Sequence, residues 1–182
     1  MPPRFGSIKR CSIYRDSDSF KRNINLYVMS QDSNGHLVNS NINVKTNLKT
    51  WLGQNKIIND TIDILDAKVV NIQIKYTAVS VMGVNNFDVL ANANNALKRS
   101  FSQKMNIGES LNIGDIYTLL NGVTGIADVR NVEIVNVTST GYSSINLSMR
   151  TNITADGRFI RVPKNVVLEI KYPDTDIIGT IS

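Results

Sequence analysis

Asp60, Asp63 and Asp66 recur at three-residue intervals, and three carboxylates so spaced could offer oxygens to a hard cation. A calcium site gathers its oxygens from a compact loop, whereas here Ile62, Ile64 and Leu65 intervene in the rhythm of a strand. The pattern therefore favours a polar strand edge followed by a tight corner. Asp174 and Asp176 flank Thr175 just after Pro173 and read as caps of a turn rather than metal ligands. His36, the sole histidine, sits beside Gly35 in a turn, with no nucleophile or ligand pattern around it. The single cysteine, Cys11, excludes an internal disulfide and cannot alone build a thiolate metal site. It points to an intracellular, reducing origin.

Phosphate-binding and nucleophile motifs are missing from the sequence. There is no Gly-x-x-x-x-Gly-Lys loop, no Gly-x-Gly-x-x-Gly fingerprint and no Gly-x-Ser-x-Gly elbow. Gly122-Val123-Thr124-Gly125 is too short for any of these and reads as a helix stop and turn. Carboxylates can do acid–base work without a sequence signature, but no constellation here assigns one that role. The expectation is a non-enzymatic chain with no metal and no cofactor.

Charge adds a second constraint. The chain of 182 residues carries a net charge of +5. Arg4, Lys9, Arg10, Arg15, Lys21 and Arg22 stand against Asp16 and Asp18, so four of those five charges lie before residue 23. The rest of the chain is nearly neutral. A nucleic-acid footprint would spread basic residues over one face, with aromatic rings between them for stacking. The first 23 residues are thus expected to be a solvated leader or an arm contacting an acidic neighbour. A nucleic-acid-binding arm is the alternative. No run approaches the ~20 apolar residues of a membrane helix, and the N-terminus lacks the apolar stretch of a secretory signal. The four Asn-x-Ser/Thr sequons, at Asn59, Asn136, Asn146 and Asn152, are accordingly read as coincidence.

Hydrophobic periodicity supplies the elements. Ile24, Leu26 and Val28 alternate with Asn25, Tyr27 and Met29, as in a strand, and Ser33-Asn34-Gly35 follows as a turn. Ser40 is the expected N-cap of a helix whose Val44, Leu48, Trp51 and Leu52 share one face, with Gly53 as its left-handed C-cap. Thr61–Leu65 reads as a strand and Asp66-Ala67-Lys68 as a corner. Val70, Ile72, Ile74 and Tyr76 then face a core while Asn71, Gln73, Lys75 and Thr77 face the wetter side. Asn86 caps a second expected helix with Leu90, Ala93, Leu97 and Phe101 on its apolar face, and Gly108 breaks it. Asn112 and Asp115 open a third, with Ile116, Leu119, Leu120 and Val123 in its stripe and Gly122 closing it. Strand character returns through Val129, Val132, Ile134 and Val137.

The order strand, helix, strand, strand, two helices, strand predicts an α+β fold. Its arrangement is ferredoxin-like, a split βαβ sheet with helices on one face. The rest of the chain differs. Ile145–Ile153 and Phe159–Val162 flank Asp156-Gly157, a hairpin signal, and Val166–Tyr172 makes another strand ended by Pro173. The expected organisation is a basic extended arm over 1–23, an α+β domain over 24–139 and a small β-rich C-terminal subdomain over 140–182.

Candidate protein-interface residues are Trp51, Tyr172, Pro173, Ile177, Ile178 and Ile181. Trp51 fits an interface anchor, since tryptophan is enriched at binding hot spots, but core packing explains it better. The apolar tail Ile177-Ile178-Gly179-Thr180-Ile181 must be covered by its own domain or by another subunit.

Several stretches, taken in order, resemble a known family. Ile24-Asn25-Leu26-Tyr27-Val28-Met29-Ser30-Gln31-Asp32 with Asn34-Gly35, then Leu48-Lys49-Thr50-Trp51-Leu52, then Ile58 to Ala67, is similar to a block of T-even-type phage baseplate wedge proteins. Ile107-Gly108-Glu109, Gly114-Asp115-Ile116-Tyr117 and Gly125-Ile126-Ala127-Asp128-Val129 are similar to the wider baseplate J-like group. Leu168-Glu169-Ile170-Lys171-Tyr172-Pro173, with Asp176-Ile177 and Gly179, resembles the C-terminus of the large inner-ring wedge subunit. The likeness runs from about Gly6 to the end. Family members are much longer, so this chain corresponds to their C-terminal region. The resemblance implies a structural component of a contractile-tail baseplate. Such a module would self-associate as a homodimer or ring around the hub and bind other wedge and hub proteins. It would act in the virion after assembly in the host cytoplasm, with no membrane or nucleic-acid partner. Ring closure needs two distinct contacts per subunit or two different twofold contacts. An enzyme of ferredoxin-like fold acting on a small acidic substrate is a further alternative, requiring Arg or Asn side chains converging on a pocket.

Overall fold

The computed structural model describes residues 7–16, 23–54, 61–101 and 105–182. It shows an α+β fold in two compact units. The first comprises Met1–Val69, Asn106–Gly108 and Pro163–Val167; the second comprises Val70–Met105, Glu109–Val162 and Leu168–Ser182. The segments 24–139 and 140–182 each contribute to both.

In the first unit, β2 (Asn23–Gln31) is the strand to which the others attach. It pairs antiparallel with β1 (Arg10–Arg15) and β3 (Leu37–Val38), and parallel with β4 (Thr61–Asp66). The alternation of β2 buries Leu26 and Val28, which meet Leu48 of helix α1 (Ile42–Gly53) in a small core. Ile8, Trp51, Leu52, Ile62 and Ile64 pack around them. The cap of α1 is Asn41, whose side chain accepts from Asn43 N–H at 2.9 Å, and not Ser40. Ser40 is buried instead, its hydroxyl 2.9 Å from that of Ser30. Gly53 remains within the helix and the C-cap is Gln54 in right-handed geometry, so the expected left-handed glycine cap does not form.

The corner expected at Asp66-Ala67-Lys68 is present: Ala67 is buried between β4 and β5 (Lys68–Ser80). It also redirects the chain. β5 does not continue the sheet of β2 and β4 but nucleates a second one, so the strands expected to form one ferredoxin-like sheet lie in two. β5 pairs antiparallel with β7 (Ile126–Asn136), parallel with β10 (Ile177–Ile181), and also with β9 (Val166–Glu169). The apolar face of β5 (Ile72, Ile74, Tyr76, Ala78) is buried as its alternation requires.

Helix α2 (Asn86–Phe101) packs on β10, and α3 (Ile113–Asn121) packs on β7. Val89, Ala93 and Leu97 are the buried residues of α2, while Ile113, Ile116 and Leu120 are those of α3. The second helix starts one residue earlier in chemical terms than expected: Asn85 accepts Phe87 N–H at 3.1 Å, and Asn86 is engaged by the Ser80 hydroxyl at 2.7 Å. Asn112 caps α3 as expected, accepting Gly114 N–H at 2.9 Å and donating to Asp115 at 2.8 Å.

Residues 140–182 carry less strand than expected. Ile145–Ile153 forms no strand; it holds the one-turn helix α4 (Met149–Asn152), and only Ile153 bridges to Ile160. The turn at Asp156-Gly157 is made, with Gly157 at φ +71°, but β8 (Phe159–Ile160) pairs with β6 (Leu111–Asn112), a partner distant in sequence. After β9, Pro173 opens the single turn α5 (Pro173–Asp176), which leads straight into β10.

Candidate interaction surfaces and the polar groups behind them

Asp63 and Asp66, two of the carboxylates with metal-like spacing, do not converge. Asp63 and Asp66 are three residues apart on a strand, so they project from opposite faces. Asp63 accepts from Asn23 at 3.4 Å, and Asp66 pairs with Lys45 at 2.7 Å. Asp60 lies outside the described residues. Among the described residues no group of three His, Cys, Asp or Glu side chains is placed to hold a metal ion. His36 serves the hairpin between β2 and β3: its N–H donates to Asp32 Oδ1 at 2.8 Å, and Asn34 N–H donates to the same oxygen at 2.9 Å. The bond from His36 N–H is the main reason the Asp32 carboxyl titrates below the usual range.

Shallow clefts occur among the described residues of each unit. One of about 310 Å³ lies in the first unit beside Ile42, Lys45, Lys49, Asp63 and Leu65. Another of about 220 Å³ lies in the second unit beside Phe101, Glu109, Asn112, Asp115 and Leu168. In each, one charged group is engaged by a protein neighbour, Lys45 by Asp66 and Asp115 by Asn112.

A larger polar constellation is buried in the second unit. Asn71 was expected on the wetter face of β5 but is 1% exposed. Its amide donates to Glu169 Oε2 at 3.0 Å and accepts Ser143 N–H at 2.7 Å. Its carbonyl accepts from Asn136 Nδ2 and Val137 N–H, both at 2.9 Å. Nearby in sequence to Glu169, Asp176 is fully buried. Oδ1 accepts the Tyr142 hydroxyl at 2.7 Å and Oδ2 accepts Tyr172 N–H at 2.8 Å. Burial first, and the bond to Asp176 second, raise the Tyr142 hydroxyl above its ordinary range and keep it a donor. The Tyr142 and Tyr172 rings meet edge to face, centroids 5.3 Å apart. Buried polar groups stay compensated only when bonded in this way; the network spends its polar atoms on holding the chain.

The sequence-predicted interface residues separate into different environments. Trp51 is half-buried against the core of Leu26, Val28 and Leu48. The apolar tail is β10, so its own domain covers much of it: Ile177 is buried opposite Ile74 and Ile181 is half-buried opposite Ala78. Ile178 and Tyr172 are exposed at 43% and 40%, and Pro173 is half-buried at the first position of α5. Of the basic residues before position 23, Lys9, Arg10 and Arg15 are described. Arg10 and Arg15 sit at opposite ends and on opposite faces of β1, and Arg4, Lys21 and Arg22 lie outside the described residues.

Among the described residues, the most exposed apolar cluster lies outside the candidate interface residues read from the sequence. Between β5 and α2 the chain turns through Val81, Met82, Gly83 and Val84, and Phe87 follows on the first turn of α2. Met82 is 100% exposed and Phe87 83%, with Val81 and Val84 also exposed. Val81 N–H bonds to Gly125 carbonyl at 2.9 Å and Gly83 adopts φ +85°, so the turn is fastened to the sheet while its side chains point to solvent. The signal available in the sequence was Val-Met-Gly-Val at the end of a buried strand, where turn residues are ordinarily polar. Comparison with protein-family models and with curated proteins finds no match to this chain.

Proposed function

We propose that this chain is a structural, non-enzymatic module of a contractile-tail phage baseplate wedge. It self-associates toward the inner ring around the hub and binds other wedge proteins. The ordered resemblance to wedge proteins supports the reading from the sequence. The observation in the structure that carries it is the apolar tip of Val81, Met82, Val84 and Phe87. Scattered exposed apolar residues are ordinary, but a cluster on one turn has to be covered to avoid a continuing hydration cost. A second copy of this chain is the proposed cover, consistent with a ring-building subunit. The mutual bonding of Asn71, Glu169, Asp176 and Tyr142 adds support, because those groups hold the scaffold in place.

The test is binding. Mixed with purified wedge and hub proteins of a contractile-tail baseplate, the chain is expected to co-sediment with at least one of them, and Met82→Ser with Phe87→Ser to weaken self-association. A chain that stays monomeric at high concentration and binds none of these proteins overturns the reading.

A further inference from the structure

We infer that residues 137–148 form a strap held by polar pins, and that Asp176 couples its release to strand β10. This goes beyond the proposed assembly role and does not depend on it. From Val135 to Phe159 no side chain is fully buried. Val137, Tyr142, Ile145 and Leu147 are only half-buried, Tyr142 meeting the half-exposed Tyr172 ring edge to face, so the strap has no fully buried apolar anchor. Its attachments are Val137 N–H to Asn71 carbonyl, Ser143 N–H to Asn71 Oδ1, Leu147 N–H to Asn136 Oδ1 and Tyr142 hydroxyl to Asp176 Oδ1. Lys171 Nζ adds a bond of 2.5 Å to Gly141 carbonyl.

These pins are reversible in a way that apolar burial is not. With the strap closed, Asn71 and Asp176 are sealed from solvent. When it opens, water reaches both and replaces the lost bonds, so the net loss per bond is small. Opening is then a local event, reached well before global unfolding.

Asp176 provides the coupling. One carboxylate oxygen holds the strap through Tyr142, and the other holds Tyr172 N–H. Tyr172 carbonyl in turn accepts Thr175 N–H and Asp176 N–H, closing α5. That turn delivers Ile177 to its place opposite Ile74 in the parallel pairing with β5. Withdrawing the Tyr142 hydroxyl opens one Asp176 oxygen to water and loosens the turn that sets β10.

Native-state hydrogen exchange on the full chain tests this, read residue by residue by NMR. The amides of Ser143 and Leu147 are expected to exchange at least about 100-fold faster than those in the centre of β5, as for a local opening. Tyr142→Phe is expected to speed exchange about tenfold both at Ser143 and in β10, the loss of one hydrogen bond. Lys171→Met, which removes the Gly141 pin and the approach of Lys171 Nζ to the Tyr172 ring at 5.6 Å, is expected to speed the strap and β10 together, by less than Tyr142→Phe does. Strap amides that exchange only with global unfolding overturn the inference. So does a Tyr142→Phe variant that accelerates the strap but not β10, or every amide equally.

Discussion

Gly179 stands directly opposite Tyr76 where β10 runs parallel to β5, and the tyrosine ring occupies the space a side chain on Gly179 would need. A Cβ there would also come 2.6 Å from Leu90 Cδ1 on α2. The absence of a side chain at Gly179 therefore lets helix and sheet close over one aromatic ring. Gly179→Ala is expected to destabilise the chain by about 1–3 kcal/mol, the usual range for overpacking. Urea denaturation measures it; an unchanged midpoint would mean that the ring and α2 yield freely.

The same ring gives an alkaline limb to stability. Burial pushes the Tyr76 hydroxyl from 10.0 up to about 12, and it donates to Asn94 Oδ1 at 2.8 Å. The unfolded chain releases this proton near pH 10 while the folded chain keeps it. Stability is thus fully present below pH 10 and falls between pH 10 and about 12, with a slope up to about 1.4 kcal/mol per pH unit. Tyr76→Phe is expected to flatten that part of the curve, checked by denaturation at a series of alkaline pH values against wild type.

Helix caps offer a finer comparison. Asn112→Ala removes the acceptor of Gly114 N–H and the donor to Asp115, and is expected to cost about 1 kcal/mol. For α2 the cost should fall on Asn85→Ala more than on Asn86→Ala, because Asn85 accepts Phe87 N–H. Thermal melts of the three variants rank them; a larger loss for Asn86→Ala would reassign the cap.

Asn71 is the most connected buried polar group of the second unit. Asn71→Ala leaves Ser143 N–H without its acceptor and removes one donor from Glu169. A loss of about 2–3 kcal/mol is expected, from unsatisfied groups rather than from lost volume. Restoring little of it with Asn71→Leu, which refills the volume, would agree; full recovery by leucine would assign the site to packing alone.

Local chemistry was legible in the sequence and long-range pairing was not. The alternation of Val70, Ile72, Ile74 and Tyr76 forecast the buried face of β5, and Asn112 with Asp115 forecast the start of α3, because both signals lie within a few residues. Asn71 broke the alternation, since its burial comes from Ser143 and Asn136, 72 and 65 residues away. The corner at Ala67 was visible, yet nothing local says that the strand after it leaves the sheet of the strand before it. The pairing of Ile177 with Ile74 is likewise invisible to periodicity, so the apolar tail read equally well as an interface. Ile145–Ile153 misled because alternating apolar residues satisfied a strand pattern while Ile145 N–H went to the Ser143 hydroxyl, Leu147 N–H to the Asn136 side chain, and residues 149–152 to α4. Of the residues expected from the sequence to form an interface, Ile178 and Tyr172 are exposed. Met82 and Phe87 lie in a turn and on the first turn of α2, where no periodic pattern marks a side chain as exposed.

Sedimentation velocity over a wide range of protein concentration tests the central claim of an assembly module most directly. Wild type is expected to sediment as a dimer or larger species that grows with concentration, and the Met82→Ser, Phe87→Ser double variant as a monomer with an unchanged denaturation midpoint. A wild-type chain that sediments as a monomer at every concentration contradicts the account.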